Sequence, residues 1–302
     1  LGGPAFQGVN EDILVWPDAQ GRTSWLSRFL DYIRSRGRIK DFTFLSFEHY
    51  PYEPCKVQWS SLYDEPTLIS HIVDVWRQDG LSPDFPLFIT ELNISWNTGE
   101  SFVNIFGALW LSDFVGSYLA SGGDALYYFH YLPAGLYHGC NGSMGTFGLF
   151  NVDSKYQITQ PLAQFFASQL INLEWVQPGN GIHQIFPSNS NIVDPAGHIL
   201  VNSYALLRPD GQWSLMLVNK DQENAHEVSV VFEDTAGGRH SFSGPVKVIQ
   251  FGADQYRWNP SETGGSADPD GPPVTAIVHG NRNSTYKLPR ASMTILTGKN
   301  SD

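Results

Sequence analysis

Glu91 is the residue of this sequence best placed to do chemistry. It ends an apolar run, residues 85–91, of the kind that forms a buried strand in a parallel sheet. In an α/β barrel, the catalytic residues lie at the carboxyl ends of the strands. A carboxylate is costly to bury at such a position unless it is paired or used. Glu91 is therefore a candidate catalytic carboxylate; the alternative is a group that caps the next helix or pairs with a base.

Two further segments have the same pattern as residues 85–91. Residues 41–51 and residues 124–131 are apolar and aromatic, and both end in polar or aromatic side chains. The side chains at these ends are those of Glu48, His49, Tyr50, Tyr128, His130 and Tyr131. For His130, a purely structural role is an equally open interpretation.

Helical patterns separate the three segments. Residues 24–36 and 66–78 carry apolar residues at helical spacing. Residues 101–120 are long and apolar and are followed by two glycines, which is typical of a helix end. Strands that alternate with helices predict βαβ units and a parallel sheet. The side chains at three consecutive strand ends would then form one patch on one face.

Four short motifs occur in order along the first part of the chain. They are Gly2-Gly3-Pro4-Ala5, residues 46–51 with their Tyr-Pro ending, Thr90-Glu91 with Asn93, and the Gly-Thr-Phe-Gly-Leu-Phe of residues 145–150. Together they resemble the C-terminal half of a clan A glycoside hydrolase, closest to glycoside hydrolase family 39, the β-xylosidases and α-L-iduronidases. The resemblance implies an α/β fold that holds strands five or six to eight of a (β/α)8 barrel, followed by an antiparallel β-sandwich.

The resemblance also implies roles for individual residues. Glu91 matches the catalytic nucleophile of the seventh strand, and Tyr50 is expected to donate a hydrogen bond to it. Residues expected to bind the sugar are Glu48, His49, Tyr50, Asn93, Trp96, Tyr128, His130 and Tyr131. His49 should nevertheless point to the opposite face from its neighbours if the strand is regular.

Three positions depart from the family pattern. Glu48 replaces a His of the sixth-strand motif, Leu92 replaces the Trp that usually follows the nucleophile, and Tyr128 or Phe129 stands where strand eight usually has Trp. These differences bear on the substrate more than on the clan.

The second carboxylate that a retaining glycosidase needs has no clear candidate. In the family it is a Glu that follows Asn on strand four, and Asn10-Glu11 lacks the preceding apolar run. We expect it to come from an N-terminal half of the barrel, supplied by the same gene or by another chain. Without that half, the chain is expected to self-associate through the open side of the half barrel. Glu48 is a possible substitute because neighbouring strands lie about 4.8 Å apart, although sugar binding is its expected role.

Composition excludes several classes of function. The 302-residue chain has a net charge of −12, which argues against a nucleic-acid partner. No run of 18 apolar residues predicts a membrane span, and no spacing of His or Cys predicts a metal site or a cofactor. An aromatic content of 14% suits carbohydrate binding, although aromatic residues also fill cores.

The two cysteines, Cys55 and Cys140, follow the predicted sixth and eighth strands. Both are expected in loops on the same face of the barrel. A disulfide between them and two unpaired thiols are both open at this level.

The pattern of the sequence changes near Leu173. Short β-rich runs at residues 198–207, 213–219, 226–233, 246–251 and 292–297 predict an antiparallel sandwich. Residues 258–273, rich in Pro, Gly, Ser and Asp, are expected to form an exposed loop. The predicted domains are thus a barrel half over residues 1–172 and a sandwich over residues 173–302, which either supports the barrel or binds carbohydrate.

The resulting functional hypothesis is a retaining, β-xylosidase-like glycoside hydrolase that acts on plant-type polysaccharide or oligosaccharide. Its expected location is secreted or periplasmic. The alternative is a non-catalytic carbohydrate-binding or scaffold protein derived from a glycosidase.

Overall fold

The computed structural model describes residues 2–7 and 24–301. The Asn10-Glu11 pair lies outside these described residues. The α-helices are α1 (Trp25–Ser35), α2 (Ser61–Gln78), α3 (Ile105–Ala120) and α4 (Ala163–Leu170). Short 3-10 turns lie at Ile39–Asp41, Glu100–Phe102 and Cys140–Gly142, and a π-helical turn, Ile171–Trp175, continues α4.

The first three strands form a parallel sheet. They are β1 (Leu45–His49), β2 (Leu87–Leu92) and β3 (Ala125–Tyr128), and they pair in that order. Gly2 and Phe6 add isolated parallel bridges along the other side of β1. Because α2 and α3 connect these strands, the predicted βαβ arrangement is confirmed and the three carboxyl ends lie at one edge.

Helix α3 is buried almost all round, with 13 of its 16 residues buried. Such a helix lies between two layers rather than at a surface. One side of α3 contacts α2 and α4, and another contacts strands of the C-terminal sheet. It begins at Ile105, because the Asn104 side chain caps it by accepting a hydrogen bond of 2.9 Å from the Phe106 amide. Among the residues described, no helix combines the length and the apolar character needed to cross a membrane.

The remaining strands are antiparallel. Four short ones follow the parallel sheet: β4 (Tyr137–His138), β5 (Met144–Gly145), β6 (Phe150–Val152) and β7 (Ile158–Pro161). The C-terminal strands are β8 (Gln184–Phe186), β9 (Val201–Leu207), β10 (Trp213–Asn219), β11 (His226–Val228), β12 (Phe232–Glu233), β13 (Arg239–His240), β14 (Phe242–Gly252), β15 (Tyr256–Ser261), β16 (Gly264–Asp270), β17 (Val274–Gly280), β18 (Tyr286–Leu288) and β19 (Ser292–Asn300).

Six of these strands form one sheet in the order β17-β14-β19-β10-β9-β8. Its inner face shares a hydrophobic core with the helices, and its outer face packs on a second cluster that includes residues of β18. The antiparallel sheet predicted for this part of the sequence is therefore present. The predicted boundary between residues 172 and 173 falls inside the π-helical turn, and the division into two domains stays a prediction.

Residues 258–273 do not form the exposed loop that their composition predicts. Most of them lie in the hairpin β15-β16, which packs against β5, β7 and α3. The side-chain amide of Gln160 donates to the Ala267 carbonyl at 2.9 Å and accepts from the Ala267 amide at 2.8 Å. Trp258 and Ala267 are buried by this contact. A two-stranded hairpin tolerates prolines because an edge position needs no ladder hydrogen bond.

A buried ion pair joins the helices to the six-stranded sheet. Lys220 and Asp113 are 0% and 1% exposed, and the Lys220 ammonium donates to the Asp113 carboxylate at 3.0 Å. The same ammonium donates to the Leu62 carbonyl at 3.1 Å, and the Tyr204 hydroxyl donates to Asp113 at 2.6 Å. The Trp59 indole donates to the Lys220 carbonyl at 2.7 Å. Residues that are distant in sequence are thus fixed to one another by charged groups that cannot reach water.

Candidate active site

Glu48 and Glu91 stand opposite each other on β1 and β2. The two strands are in register up to Phe47 and Ile89, and the next pair is Glu48 with Glu91. Thr90 is the extra residue of this irregularity, and its hydroxyl donates to the Phe47 carbonyl at 3.2 Å. Such bulges re-aim side chains and are frequent next to active sites. Here the bulge brings two carboxyl groups together at the carboxyl edge of the sheet.

Tyr50 holds the Glu91 carboxylate. Its hydroxyl donates to Glu91 Oε2 at 2.9 Å, which is the hydrogen bond expected from the sequence. Burial raises the pKa of the Tyr50 phenol, and the hydrogen bond to Glu91 raises it further. Tyr50 therefore keeps its proton at neutral pH and acts as a hydrogen-bond donor that orients the Glu91 carboxylate.

Glu48 has a different environment from Glu91. Burial raises the pKa of its carboxyl group, and the neighbouring charge of Glu91 raises it as well. Among the residues that the structure describes, none donates a hydrogen bond to this carboxyl group, and the side chain is half-buried, so part of it faces solvent. Glu48 is thus the carboxyl group of the pair that is free to meet a ligand.

Asn93, after β2, and Gln164, on α4, hold the end of β3. The Asn93 amide donates to the Phe129 carbonyl at 2.5 Å, and its oxygen accepts from the Ile94 amide at 2.8 Å. Tyr128, which pairs with Leu92 in the ladder, donates through its hydroxyl to Gln164. Burial raises the pKa of Tyr128, so this phenol also stays protonated.

Two of the predicted sugar ligands are not available to a substrate. Asn93 is fully buried, and both ends of its amide bind the protein as described above. His49 is also fully buried, and its Nε2 lies 2.7 Å from Glu65 Oε1 while its ring stacks on Phe114. The alternation of the strand turns His49 toward α2 and α3, away from Glu48 and Tyr50. The predicted contact of these two residues with sugar is therefore corrected.

The other predicted ligands lie in loops after β2 and β3. Trp96 and Tyr131 are 57% and 71% exposed. His130 is half-buried, and its Nδ1 lies 2.8 Å from the Leu132 carbonyl. Its ring contacts those of Phe129 and Phe147. Exposed rings at this edge could stack on a sugar face, and this role stays a prediction.

Gln164 and Glu65 have functions at the site that the sequence does not reveal. Gln164 is fully buried on α4 and binds Tyr128, whereas Glu65 is fully buried on α2 and binds His49. Polar residues on helices are usually exposed, and only the tertiary contact distinguishes these two. From these helices, Gln164 holds Tyr128 and Glu65 holds His49 at the strand ends.

A disulfide joins the loops around the strand ends. Cys55 and Cys140 are bonded, with their Cα atoms 4.7 Å apart. Cys55 follows β1 and Cys140 follows β3, and the Cys140 amide donates to the Thr98 carbonyl, in the loop after β2, at 2.9 Å. The disulfide excludes the alternative of two unpaired thiols. Together with the hydrogen bond to Thr98, it fixes all three loops to one another.

We expect the Cys55→Ser/Cys140→Ser double variant to lose about 2–5 kcal/mol of unfolding free energy, because the bond closes a loop of 85 residues in the unfolded chain. Urea denaturation followed by tryptophan fluorescence measures this loss. The reduced wild-type protein is the matched control and should unfold at the midpoint of the variant. An oxidised wild type no more stable than the double variant would contradict the prediction.

The chemistry of this edge is that of carboxyl and phenol groups. Within residues 2–7 and 24–301, no group of three or more His, Cys, Asp and Glu side chains is placed to hold a metal ion. One carboxylate with a hydrogen-bond donor and a second carboxyl group with a raised pKa suit nucleophilic and proton-transfer chemistry at an acetal carbon.

Comparison with known proteins shows what the fold of this chain is similar to. No protein-family model matches the sequence, and no curated protein matches it. A xyloglucanase of glycoside hydrolase family 44 from Paenibacillus polymyxa matches 99% of the chain at 14% identity, with a TM-score of 0.60. The family 44 endoglucanase Cel44A from Clostridium thermocellum matches 99% at 12% identity, with a TM-score of 0.57. A family 51 α-L-arabinofuranosidase from Thermotoga petrophila matches 91% at 11% identity, with a TM-score of 0.55.

These likenesses show that the chain has a glycosidase-like fold. It spans about half the length of the solved structures, since the matched part covers 56%, 57% and 55% of those three chains. The resemblance to glycoside hydrolases expected from the four motifs is thus confirmed at the level of fold. The three structures belong to families 44 and 51 and give no support for family 39 in particular.

Proposed function

We propose that this chain is the C-terminal part of a retaining glycoside hydrolase in which Glu91 is the nucleophile. The observation that carries the proposal is the position of Glu91, at the carboxyl end of β2, opposite Glu48 and bonded to Tyr50. The glycosidase-like fold supports the same assignment. The substrate class that we propose is a plant-type polysaccharide or oligosaccharide with β-xylosidic linkages, in keeping with the resemblance to family 39.

The reaction needs two steps at the anomeric carbon. The ionised Glu91 attacks this carbon, the bond to the leaving oxygen breaks, and an acid gives that oxygen a proton. Water then attacks the anomeric carbon of the glycosyl-enzyme ester, the bond from this carbon to Glu91 breaks and frees the Glu91 carboxylate, and the same acid/base residue takes a proton from the water. Tyr50 donates a hydrogen bond to the Glu91 carboxylate before the attack, and this hydrogen bond weakens as Glu91 becomes part of the ester.

The general acid/base belongs, in this proposal, to an N-terminal half of the barrel. That half is either part of the same protein or a separate chain. Two observations support it: the chain spans about half of the glycosidases that it resembles, and β3 has its only strand partner, within the described residues, in β2. The disulfide supports an oxidising compartment, and hence secretion or a periplasmic location.

A binding protein without catalytic activity is the second candidate. The exposed rings of Trp96 and Tyr131 favour it, since both are available to stack on carbohydrate without any chemistry. An assay with aryl β-xylosides, β-glucosides and α-arabinofuranosides, on the protein together with its N-terminal half, separates the two. Turnover with retained anomeric configuration in the NMR spectrum supports the enzyme. Sugar binding without turnover on any of these glycosides contradicts it.

We expect residues 1–302 alone to self-associate or to be inactive. Open strand edges and the apolar residues beside them recruit partners. The run of residues 126–131 should lie at the junction, because the last strand of a closed barrel pairs with the first. Light scattering and glycosidase assays on the isolated chain, with and without an added N-terminal half, measure this. A monomer with full activity on its own would contradict the half-barrel interpretation.

A further inference from the structure

Glu48 is placed to interact with the substituents, charged or neutral, of a sugar that reaches Glu91. It lies beside Glu91 in the ladder, on the neighbouring strand, and neighbouring strands are about 4.8 Å apart. A sugar whose anomeric carbon is in reach of Glu91 therefore presents its ring substituents to Glu48. The Glu48 carboxyl is half-buried and, within the described residues, has no hydrogen-bond donor of its own. It can accept hydrogen bonds from ring hydroxyls.

We propose that Glu48 is a specificity-determining residue that selects neutral glycosides and rejects glycosides of uronic acids. The inference rests on the proposed function, since it concerns the sugar that Glu91 attacks. A neutral sugar offers hydroxyl donors, and a hydrogen bond to a charged acceptor is stronger than one between neutral groups. A uronic acid instead brings a carboxylate toward Glu48 and Glu91, where like charges repel in a partly desolvated site.

The surroundings of the pair reinforce this selection. The charged groups that raise the pKa of Tyr50 are Glu91 and Glu48, both acidic, and the charge that raises the pKa of Glu48 is that of Glu91. The phenols Tyr50 and Tyr128 donate hydrogen bonds to Glu91 and Gln164. The electrostatic field at this edge is therefore negative. Tyr50 already binds the Glu91 carboxylate, whereas the Glu48 carboxyl has no such donor and is left to meet the sugar.

The test compares two substrates that differ only at C6, an aryl β-D-glucoside and the matching aryl β-D-glucuronide. For the active, assembled protein we expect kcat/KM to be at least roughly 100-fold lower for the glucuronide, since like charges across a site cost several kcal/mol and each tenfold corresponds to about 1.4 kcal/mol. Glu48→Gln keeps the size of the side chain and removes its charge. It should reduce this discrimination by at least about tenfold.

Glu233→Gln is the matched control. It removes the same charge from an exposed residue of β12 that pairs with Arg239, and it should leave the discrimination unchanged. A ratio of the two substrates that stays within about threefold of the wild-type ratio in Glu48→Gln would overturn the proposal.

A binding measurement keeps this inference separate from the proposed function. The phenyl 1-thio-glycosides of glucose and glucuronic acid are not hydrolysed readily, and their affinities can be compared by calorimetry on the same proteins. If no glycoside is turned over, but Glu48→Gln gains affinity for the thioglucuronide relative to the thioglucoside, the specificity role stands and the enzymatic proposal fails. Equal relative affinities in wild type and variant would overturn the specificity role.

The leaving group distinguishes sugar binding from acid catalysis by Glu48. A residue that binds the sugar should, when changed to Gln, slow substrates with good and poor leaving groups by similar factors. The loss of a general acid slows poor leaving groups far more than activated ones, which need no proton. A steep dependence on leaving-group pKa in Glu48→Gln would show that Glu48 is the acid and would overturn its assignment as a specificity residue.

Discussion

Glu91→Ala is expected to lower the kcat/KM of the assembled protein by about 10⁴- to 10⁶-fold, the range seen when a covalent nucleophile is removed. The physical reason is that no glycosyl-enzyme ester can form without the carboxylate on β2. Sodium azide should restore turnover, because the small anion fits the space of the missing side chain and attacks the anomeric carbon directly. The product should be the glycosyl azide of inverted configuration, which NMR identifies.

Two further variants control this result. Glu91→Gln fills the same space and should be inactive without being rescued by azide. Glu223→Gln removes an exposed carboxylate from the loop between β10 and β11 and should have wild-type activity. Circular dichroism should show an unchanged fold in all three. More than a tenth of the wild-type rate in either Glu91 variant would exclude this residue as the nucleophile.

Lys220→Met should destabilise the protein by about 3–5 kcal/mol, the cost of leaving one partner of a buried ion pair without the other. Asp113 would keep the hydroxyl of Tyr204 as a donor but would hold an uncompensated charge at a site that is 1% exposed. Urea denaturation measures the loss. The matched control is Lys299→Met, at an exposed position of β19, which should change stability little.

The double variant Asp113→Asn/Lys220→Met tests the origin of that loss. It removes both charges, so no uncompensated charge stays buried, and it should recover a large part of the stability. A double variant less stable than Lys220→Met would mean that the packing of the lysine side chain, rather than the charge left on Asp113, accounts for the effect.

The sequence predicts the parallel strands and the direction of their side chains well. The apolar runs before Glu48 and Glu91 differ clearly from the helical patterns between them, and the two-residue period of a strand separates Tyr50 from His49. The hydrogen bond between Tyr50 and Glu91, which the family resemblance implies, is compatible with that period and with the parallel order of β1 and β2.

The sequence does not predict the features that depend on contacts between distant segments. The register that sets Glu48 opposite Glu91 depends on a bulge at Thr90, which has no sequence signature. The hairpin β15-β16 is held to the rest of the protein by Gln160, which binds Ala267, 107 residues away, although its prolines and glycines are typical of a loop. Gln164 and Glu65 have the composition of surface residues and become structural groups only through burial.

The core that the helices share with the six-stranded sheet has a consequence for protein engineering. Met216, Met293 and Ile295 of that sheet lie in the same hydrophobic cluster as Trp110 and Phe114 of α3. Removing the C-terminal sheet would expose the apolar side chains of this core to water, both on the sheet and on the helices that it leaves behind. The sheet is therefore no portable module that could be fused to an unrelated enzyme, and any chimera between glycosidases should exchange α3 and the sheet together.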